Sequence, residues 1–204
     1  VPETADDLVK KAMKNRDAHT AQPSFCIRST PFGPVVLLWS IFDDRPRISR
    51  ILLSTPAASA GHQVSVLCPE SGVRSCSEIN IVAADIERFL HGEDIRFSLE
   101  VVRMEICSEF QQRVLRAEYE IPRGSISSYQ GIARHLGSPN GARAVGNALA
   151  TNPFPLIIPC HRAIRSDRLV GGYQGGPQMK RTLLEMEGIR FGPTGRVTTK
   201  NFFY

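Results

Sequence analysis

Cys160, His161 and Arg162 stand in succession behind a short apolar run flanked by prolines, Pro155-Leu156-Ile157-Ile158-Pro159. A cysteine attacks carbon as the thiolate, and an unperturbed thiol with a pKa of about 8.5 is only slightly ionised at neutral pH. A neighbouring imidazole and guanidinium can raise that fraction. A strand end held by prolines is a rigid place to present the sulfur. Taken alone, a Cys-His pair is more often a buried structural cysteine beside two surface residues. The chain around the pair decides between these readings.

Three elements must position it. Ser127-Ser128-Tyr129-Gln130 caps a helix with the apolar stripe Tyr129, Ile132, Ala133 and Leu136, closed by Gly137. After the turn Ser138-Pro139-Asn140-Gly141, a second helix carries Ala142, Val145, Gly146 and Leu149 on its inner face, giving a helix-turn-helix. Its outer face holds Arg143, Asn147 and Ala150, flanked by Ala144 and Ala148. One arginine on an otherwise smooth surface suits a close approach to a groove better than base readout, which needs several long polar side chains. Small residues also suit tight helix packing. Asn152-Pro153-Phe154-Pro155 breaks that helix, and Asn152 is a natural turn former.

Beyond Arg162, Ser166-Asp167 signals a turn, and Gly171-Gly172-Tyr173-Gln174-Gly175-Gly176 permits a backbone that wraps a flat ligand closely. Pro177 opens a last helix with Met179, Leu183, Leu184 and Met186 inward. Glu187, in its last turn, opposes the helix dipole and calls for a cationic partner.

Upstream, Ser108-Glu109-Phe110-Gln111 caps a helix with Phe110, Val114 and Ala117 on one face. Ser24–Thr30, Pro34–Ser40 and Arg47–Ser54 read as consecutive antiparallel strands; Gln63–Cys68 reads equally as strand or loop. Ser75-Cys76-Ser77-Glu78 has capping-box spacing before a helix with Ile79, Val82, Ala83, Ile86, Phe89 and Leu90 inward. Phe97–Val102 reads as an extended connector, and residues 1–22 as a short helix or tail. The expected divisions are 23–107, 108–192 and a C-terminal tail 193–204 with no assigned role.

The net charge of +5 is uneven. Residues 1–107 hold 12 Lys and Arg against 14 Asp and Glu, whereas residues 108–204 hold 13 against 6. Arginines dominate the second set, which points to nucleic acid as its partner. Five scattered cysteines without a CxxC pair argue against a disulfide framework and for an intracellular setting. No apolar run approaches the roughly 20 residues of a membrane span.

Ile-Pro-Cys-His-Arg (158–162), Ala-Arg-Ala-Val-Gly (142–146) and Asn-Pro-x-Pro (152–155) resemble the O6-alkylguanine-DNA alkyltransferases, the methylated-DNA–protein-cysteine methyltransferase family. Ser-Tyr-Gln (128–130), Gly-Tyr-x-Gly-Gly (172–176) and Leu-Leu-x-x-Glu-Gly (183–188) extend the likeness over about residues 108–192. The resemblance implies an α/β (α+β) chain: a small N-terminal antiparallel sheet with a helix, then a mostly helical, winged helix-turn-helix-like domain. It implies single-turnover repair of O6-alkylguanine, and O4-alkylthymine, in duplex DNA by a monomer without cofactor or metal. Cys160 would accept the alkyl group, His161 would be its base through a water, and Glu187 would orient His161. Asn152 would hold the turn; Tyr129 and the backbone N–H of Gln174 would bind the purine.

By the same resemblance, Tyr173, Ala163 and Gly175 would line the pocket. Arg143 would replace the flipped base, with Ala142, Ala144, Gly146, Asn147 and Arg162 on the DNA side and Arg162 bracing the motif. Gln174 replaces a small residue and is expected to narrow the pocket; Thr182 replaces a tryptophan. The alternative is a protein that binds or senses alkylated DNA without repairing it, which the presence of Cys160 disfavours.

Overall fold

The computed structural model describes residues 23–204, so the reading of 1–22 lies outside the described residues. Strands β1 (Ser24–Arg28), β2 (Val35–Phe42) and β3 (Arg45–Leu53) pair antiparallel in sequence order. The β2–β3 hairpin turns on Asp43 and Asp44, whose φ values of 49° and 59° match a two-residue turn with both central residues left-handed. A short β4 (Gly72–Val73) joins β1 in parallel, giving the order β3-β2-β1-β4. The sheet is therefore mixed rather than wholly antiparallel.

β2 is apolar from Val35 to Trp39 because both of its faces are covered there. Val36 and Leu38 pack under α1 (Ala60–Leu67) with Leu52 and Val64. Val35, Leu37 and Trp39 face the main core with α2 (Ser77–Leu90). The segment left undecided, Gln63–Cys68, is thus helical; Ser59 caps it by accepting from the His62 N–H at 3.2 Å. α2 buries all six residues of its expected stripe. Its capping box does not form, however: Cys76 takes the cap position without a side-chain bond, and Ser77 donates to Glu78 instead. The connector is not extended either. It winds into a 3-10 turn at Leu99–Val101, and a second one, Met104–Ile106, follows it.

In the second half, α3 (Glu109–Glu120) is capped by Ser108, α4 (Tyr129–His135) by Ser128, and α5 is Ala142–Ala150. Phe110 sits in the first turn of α3 and is exposed, while the helix buries Val114, Leu115, Ala117 and Glu118. Ala148, expected on the outer face of α5, is buried with Val145 and Leu149. The stretch before Cys160 is not a strand. Leu156 has φ 76°, Ile158 N donates back to Phe154 O, and Cys160–Arg162 is a 3-10 turn. Only the following β6 (Ala163–Ile164) pairs, in parallel with β5 (Ser127–Ser128). α6 (Gly176–Met186) closes the domain.

A single apolar cluster runs from Leu37 and Ile51 of the sheet through Ile86, Leu115 and Val145 to Ile158, Cys160 and Leu183. The Ile51 N–H donates to Pro153 O at 2.8 Å, tying β3 to the turn that follows α5. The C-terminal tail is also docked. Phe203 N donates to Ile126 O, and the Tyr204 ring stacks on His135 at 4.0 Å. A Cβ at Gly131 would meet Tyr204 O at 2.8 Å, so the tail lies directly against α4.

Candidate active site

Cys160 ends a turn whose geometry is fixed by one side chain. The Asn152 Oδ1 accepts from Phe154 N at 2.9 Å, and its Nδ2 donates to Ile158 O and to Cys160 Sγ, both at 3.2 Å. The residue that shapes the turn therefore also hands a donor to the sulfur. Asn152 O accepts from the Gln174 side-chain amide at 2.6 Å, which straps the glycine-rich loop to the turn. That strap was not foreseen from the sequence, where the Gln174 side chain entered only as a group that narrows the pocket.

The Cys160 sulfur lines a cavity of ≈ 410 Å³ with Tyr129, Leu149, Tyr173 and Gln174 around it. Gly171 is held to glycine twice over: its φ is 73°, and a Cβ there would lie 2.9 Å from the Tyr129 hydroxyl. A second, shallower recess runs from Tyr129 past Ala142 and Arg143 to Arg165 and Asp167. Tyr129 thus stands between the cavity and the exposed Arg143. Ala144 and Asn147 are exposed on the same helix; Gly146 lines the cavity. Arg165, which the sequence did not single out, borders both spaces and pairs with Asp167 at 2.7 Å.

Behind the sulfur lies a buried polar triad. His161 Nε2 is 2.9 Å from Glu187 Oε1, and Arg162 donates to both Glu187 oxygens at 2.8 and 2.9 Å. Arg162 also donates to Ile121 O at 2.6 Å. Glu187 thereby has the cationic partner its helix-end position called for. Arg162 is buried and fully engaged inward, so its placement on the DNA side is corrected: its guanidinium is spent on the carboxylate and a main-chain carbonyl. Its bracing part agrees with this geometry.

Burial alone would raise the Glu187 carboxyl, but the contacts with His161 and Arg162 outweigh it and hold Glu187 at about 2. Burial pushes His161 down, more than Glu187 pulls it up, so the imidazole is neutral at pH 7. An ionised carboxylate only accepts, so the network assigns the proton to Nε2 and leaves a lone pair on Nδ1. Nδ1 is buried without a protein partner. Burial pushes the Cys160 thiol up to about 12, with the Asn152 hydrogen bond the largest opposing influence. The resting sulfur is a thiol with a neutral imidazole beside it in sequence, and the two together can form a nucleophile only by moving a proton.

Other predicted residues fall around this centre. Tyr173 stands edge-on to His161 with centroids 6.3 Å apart. Ala163 and Gly175, expected to line the pocket, do not: Ala163 is buried just after the Cys turn, and Gly175 is the N-cap of α6. Two fully buried charges escaped the sequence reading, Glu118 and Lys180. Both lie at helical spacing from apolar residues, Glu118 from Val114 and Leu115, Lys180 from Leu183 and Leu184; that spacing was the available signal. Among the described residues no cluster of three His, Cys, Asp or Glu could hold a metal, and no helix is long and apolar enough to cross a membrane.

Comparison with known proteins agrees with this geometry. The family described as "6-O-methylguanine DNA methyltransferase, DNA binding domain" matches residues 109–189. A methylated-DNA–protein-cysteine methyltransferase of Methanothermobacter thermautotrophicus is 51% identical over 104 residues, 51% of this chain and 58% of that protein. One from Haemophilus influenzae is 39% identical over 118 residues, 58% of this chain and 65% of that protein. The match thus spans about three fifths of these relatives' lengths. The crystal structure of Mycobacterium tuberculosis O6-methylguanine methyltransferase superposes with TM-score 0.64 at 29% identity, covering 81% of this chain and 92% of that one. Its complex with DNA gives 0.60 at 30% identity, covering 81% and 93%. With the cysteine turn, the helix-turn-helix and the N-terminal sheet all matched, the chain belongs to the methylated-DNA–protein-cysteine methyltransferase family.

Proposed function

We propose that the chain repairs O6-alkylguanine in duplex DNA by moving the alkyl group irreversibly to Cys160, one event per molecule, with O4-alkylthymine as a second substrate. The observation that carries this reading is a cysteine on a cavity wall, followed in the chain by a buried histidine that Glu187 holds at 2.9 Å. In the reaction His161 Nδ1 takes the thiol proton, directly or through one water. The Sγ–C bond forms as the C–O6 bond breaks, the electron pair passes to the guanine, and the guanine gains a proton. The product is a thioether. Asn152 donates to the sulfur as it gains charge, and Tyr129 donates to the purine with the Gln174 backbone N–H at O6.

The damaged base reaches the cavity by flipping out of the stack, which costs a few kcal/mol and less for a damaged base. Arg143 takes its place in the stack, while Ala142, Ala144, Gly146 and Asn147 let α5 approach the groove closely. The excess of arginine in the second half supplies phosphate contact. The protein works as a monomer inside the cell, with DNA as its partner and no cofactor.

The test is incubation with an oligonucleotide carrying O6-methylguanine, then intact mass and peptide mapping. A stoichiometric methyl adduct on Cys160 is expected. Tight binding of the lesion without an adduct would replace this reading with that of a lesion binder or sensor, and multiple turnovers would remove it.

A further inference from the structure

Glu118 and Lys180 are both 0% exposed and lie outside the chemistry described above. Lys180, on α6, donates to Ala163 O at 2.6 Å, to Gly172 O at 3.3 Å and to the Tyr129 hydroxyl at 3.4 Å. Those three acceptors belong to three different walls: the strand after the Cys turn, the glycine-rich loop and the N-terminus of α4. A single ammonium, with three N–H donors, joins them.

No donor reaches either oxygen of Glu118, on α3, with good hydrogen-bond geometry, although the Ala163 backbone N–H favours its ionised form. The charged and titratable groups around it are Lys180 from α6, Arg162 from the Cys turn and Glu187 from the end of α6. Tyr129 of α4, Cys160 and the tail residue Tyr204 also feel it. An ionised carboxylate left bare in a core is disfavoured, so the proton is retained. Burial pushes Glu118 up to about 8 against the pull of Lys180 and Arg162. Burial also brings Lys180 down to about 8, against the opposing influence of Cys160 and Glu118. At pH 7 the acid is therefore neutral and the ammonium charged. Each acts on Cys160: Lys180 favours the thiolate and an ionised Glu118 disfavours it.

We propose that Lys180 is a positioning residue whose three hydrogen bonds fix three walls of the pocket and whose charge favours the Cys160 thiolate, and that Glu118 is a buried acid governing this charge, silent when protonated and helping Lys180 keep its proton when ionised. The effect on alkyl transfer rests on the function proposed above; the buried acid itself does not. Below the ionisation of Glu118 the net charge of the pair is positive and the developing thiolate is stabilised. Above about pH 8 Glu118 ionises and Lys180 begins to lose its proton, so the positive charge is lost and transfer slows even though His161 remains a competent base.

Two measurements test this separately. Infrared titration of the wild-type protein should reveal a protonated carboxylic acid at neutral pH that disappears as the pH rises through about 8 and is missing from Glu118→Gln. Absence of that band from the wild type at neutral pH overturns the proposal and needs no variant. In single-turnover transfer, Glu118→Gln should match the wild type near pH 6.5 and lose rate at a lower pH than the wild type on the alkaline side, because the ionised Glu118 that helps Lys180 keep its proton is gone. Lys180→Met, checked for folding by thermal melt, should lose about a hundredfold toward both duplex and free O6-alkylguanine, the scale of a misplaced reacting group. Identical alkaline limbs in wild type and Glu118→Gln overturn the gating role, and an unimpaired Lys180→Met overturns the positioning role. A titrating band in a protein that transfers no alkyl group supports the buried acid while removing the function on which its effect rests.

Discussion

The two halves of the molecule bury different things. Among the described residues, the sheet half buries only Ser24 and Ser40 as polar groups, and the rest of the core there is apolar. The helical half buries Ser127 and, beyond it, Glu118, Asn152, His161, Arg162, Lys180 and Glu187. Apolar burial is non-directional and tolerant, whereas each buried charge must find partners or change its protonation state. The contrast separates a scaffold from a site. The halves nevertheless share one core, and the β3 backbone holds the turn that ends in Cys160.

The sharpest way to break this contrast is Glu187→Gln. It leaves Arg162 and His161 without a carboxylate and loses the orientation of the imidazole. Transfer from O6-methylguanine should fall by about 10²- to 10⁴-fold, the usual worth of a positioned base. Chemical denaturation should reveal a loss of about 3–5 kcal/mol, since a broken buried pair leaves a bare charge. The pH dependence has a definite sign. The folded-state value of about 2 lies below the ordinary 4.5, so this stabilisation is complete above 4.5 and is lost as the pH falls through about 2. Glu187→Gln should flatten the acid limb of a stability profile over that window. An unaltered limb would show that the carboxylate is not held by the triad.

Next in size, Arg143→Ala should slow repair in duplex DNA by about a hundredfold, a few kcal/mol of lost flipping support. Reaction with free O6-benzylguanine, followed by quenched mass spectrometry, should change little. Equal losses on both substrates would remove Arg143 from its place in the stack. On the other side of the comparison, Leu37→Ala in the sheet should cost about 2–5 kcal/mol in a urea melt. The transfer rate of the folded protein should stay within about twofold, the mark of a scaffold position. A large rate loss there would mean that the sheet tunes the site beyond holding it.

These differences also explain what could be read in advance. The stripes of α2 and α4 were legible because one face of each meets the core at the helical period. Cys160, His161 and Glu187 were legible because their types and order carry chemistry. The turn before Cys160 was not: Leu156-Ile157-Ile158 reads as a strand by composition, yet Asn152 and a left-handed Leu156 bend it. α1 was missed because a short helix over a sheet with few apolar residues has almost no period to detect. Arg162 looked like a surface cation because nothing local reveals that Glu187, 25 residues on, will cover it. Glu118 and Lys180 stayed hidden for the same reason. A charged residue on an inward face is ordinarily taken as an error in the stripe, and only three-dimensional neighbours make it a component.

The docked tail has one more implication. Tyr204 rests on His135 at one end of α4 and against Gly131 near the other, and Tyr129 is the first residue of that helix. The chain near residue 204 is therefore a handle on a wall of the cavity some 75 positions earlier. A fluorophore placed there would report motion of the pocket without entering it, and anything that pries the tail away would reach the cavity-lining Tyr129 by leverage alone.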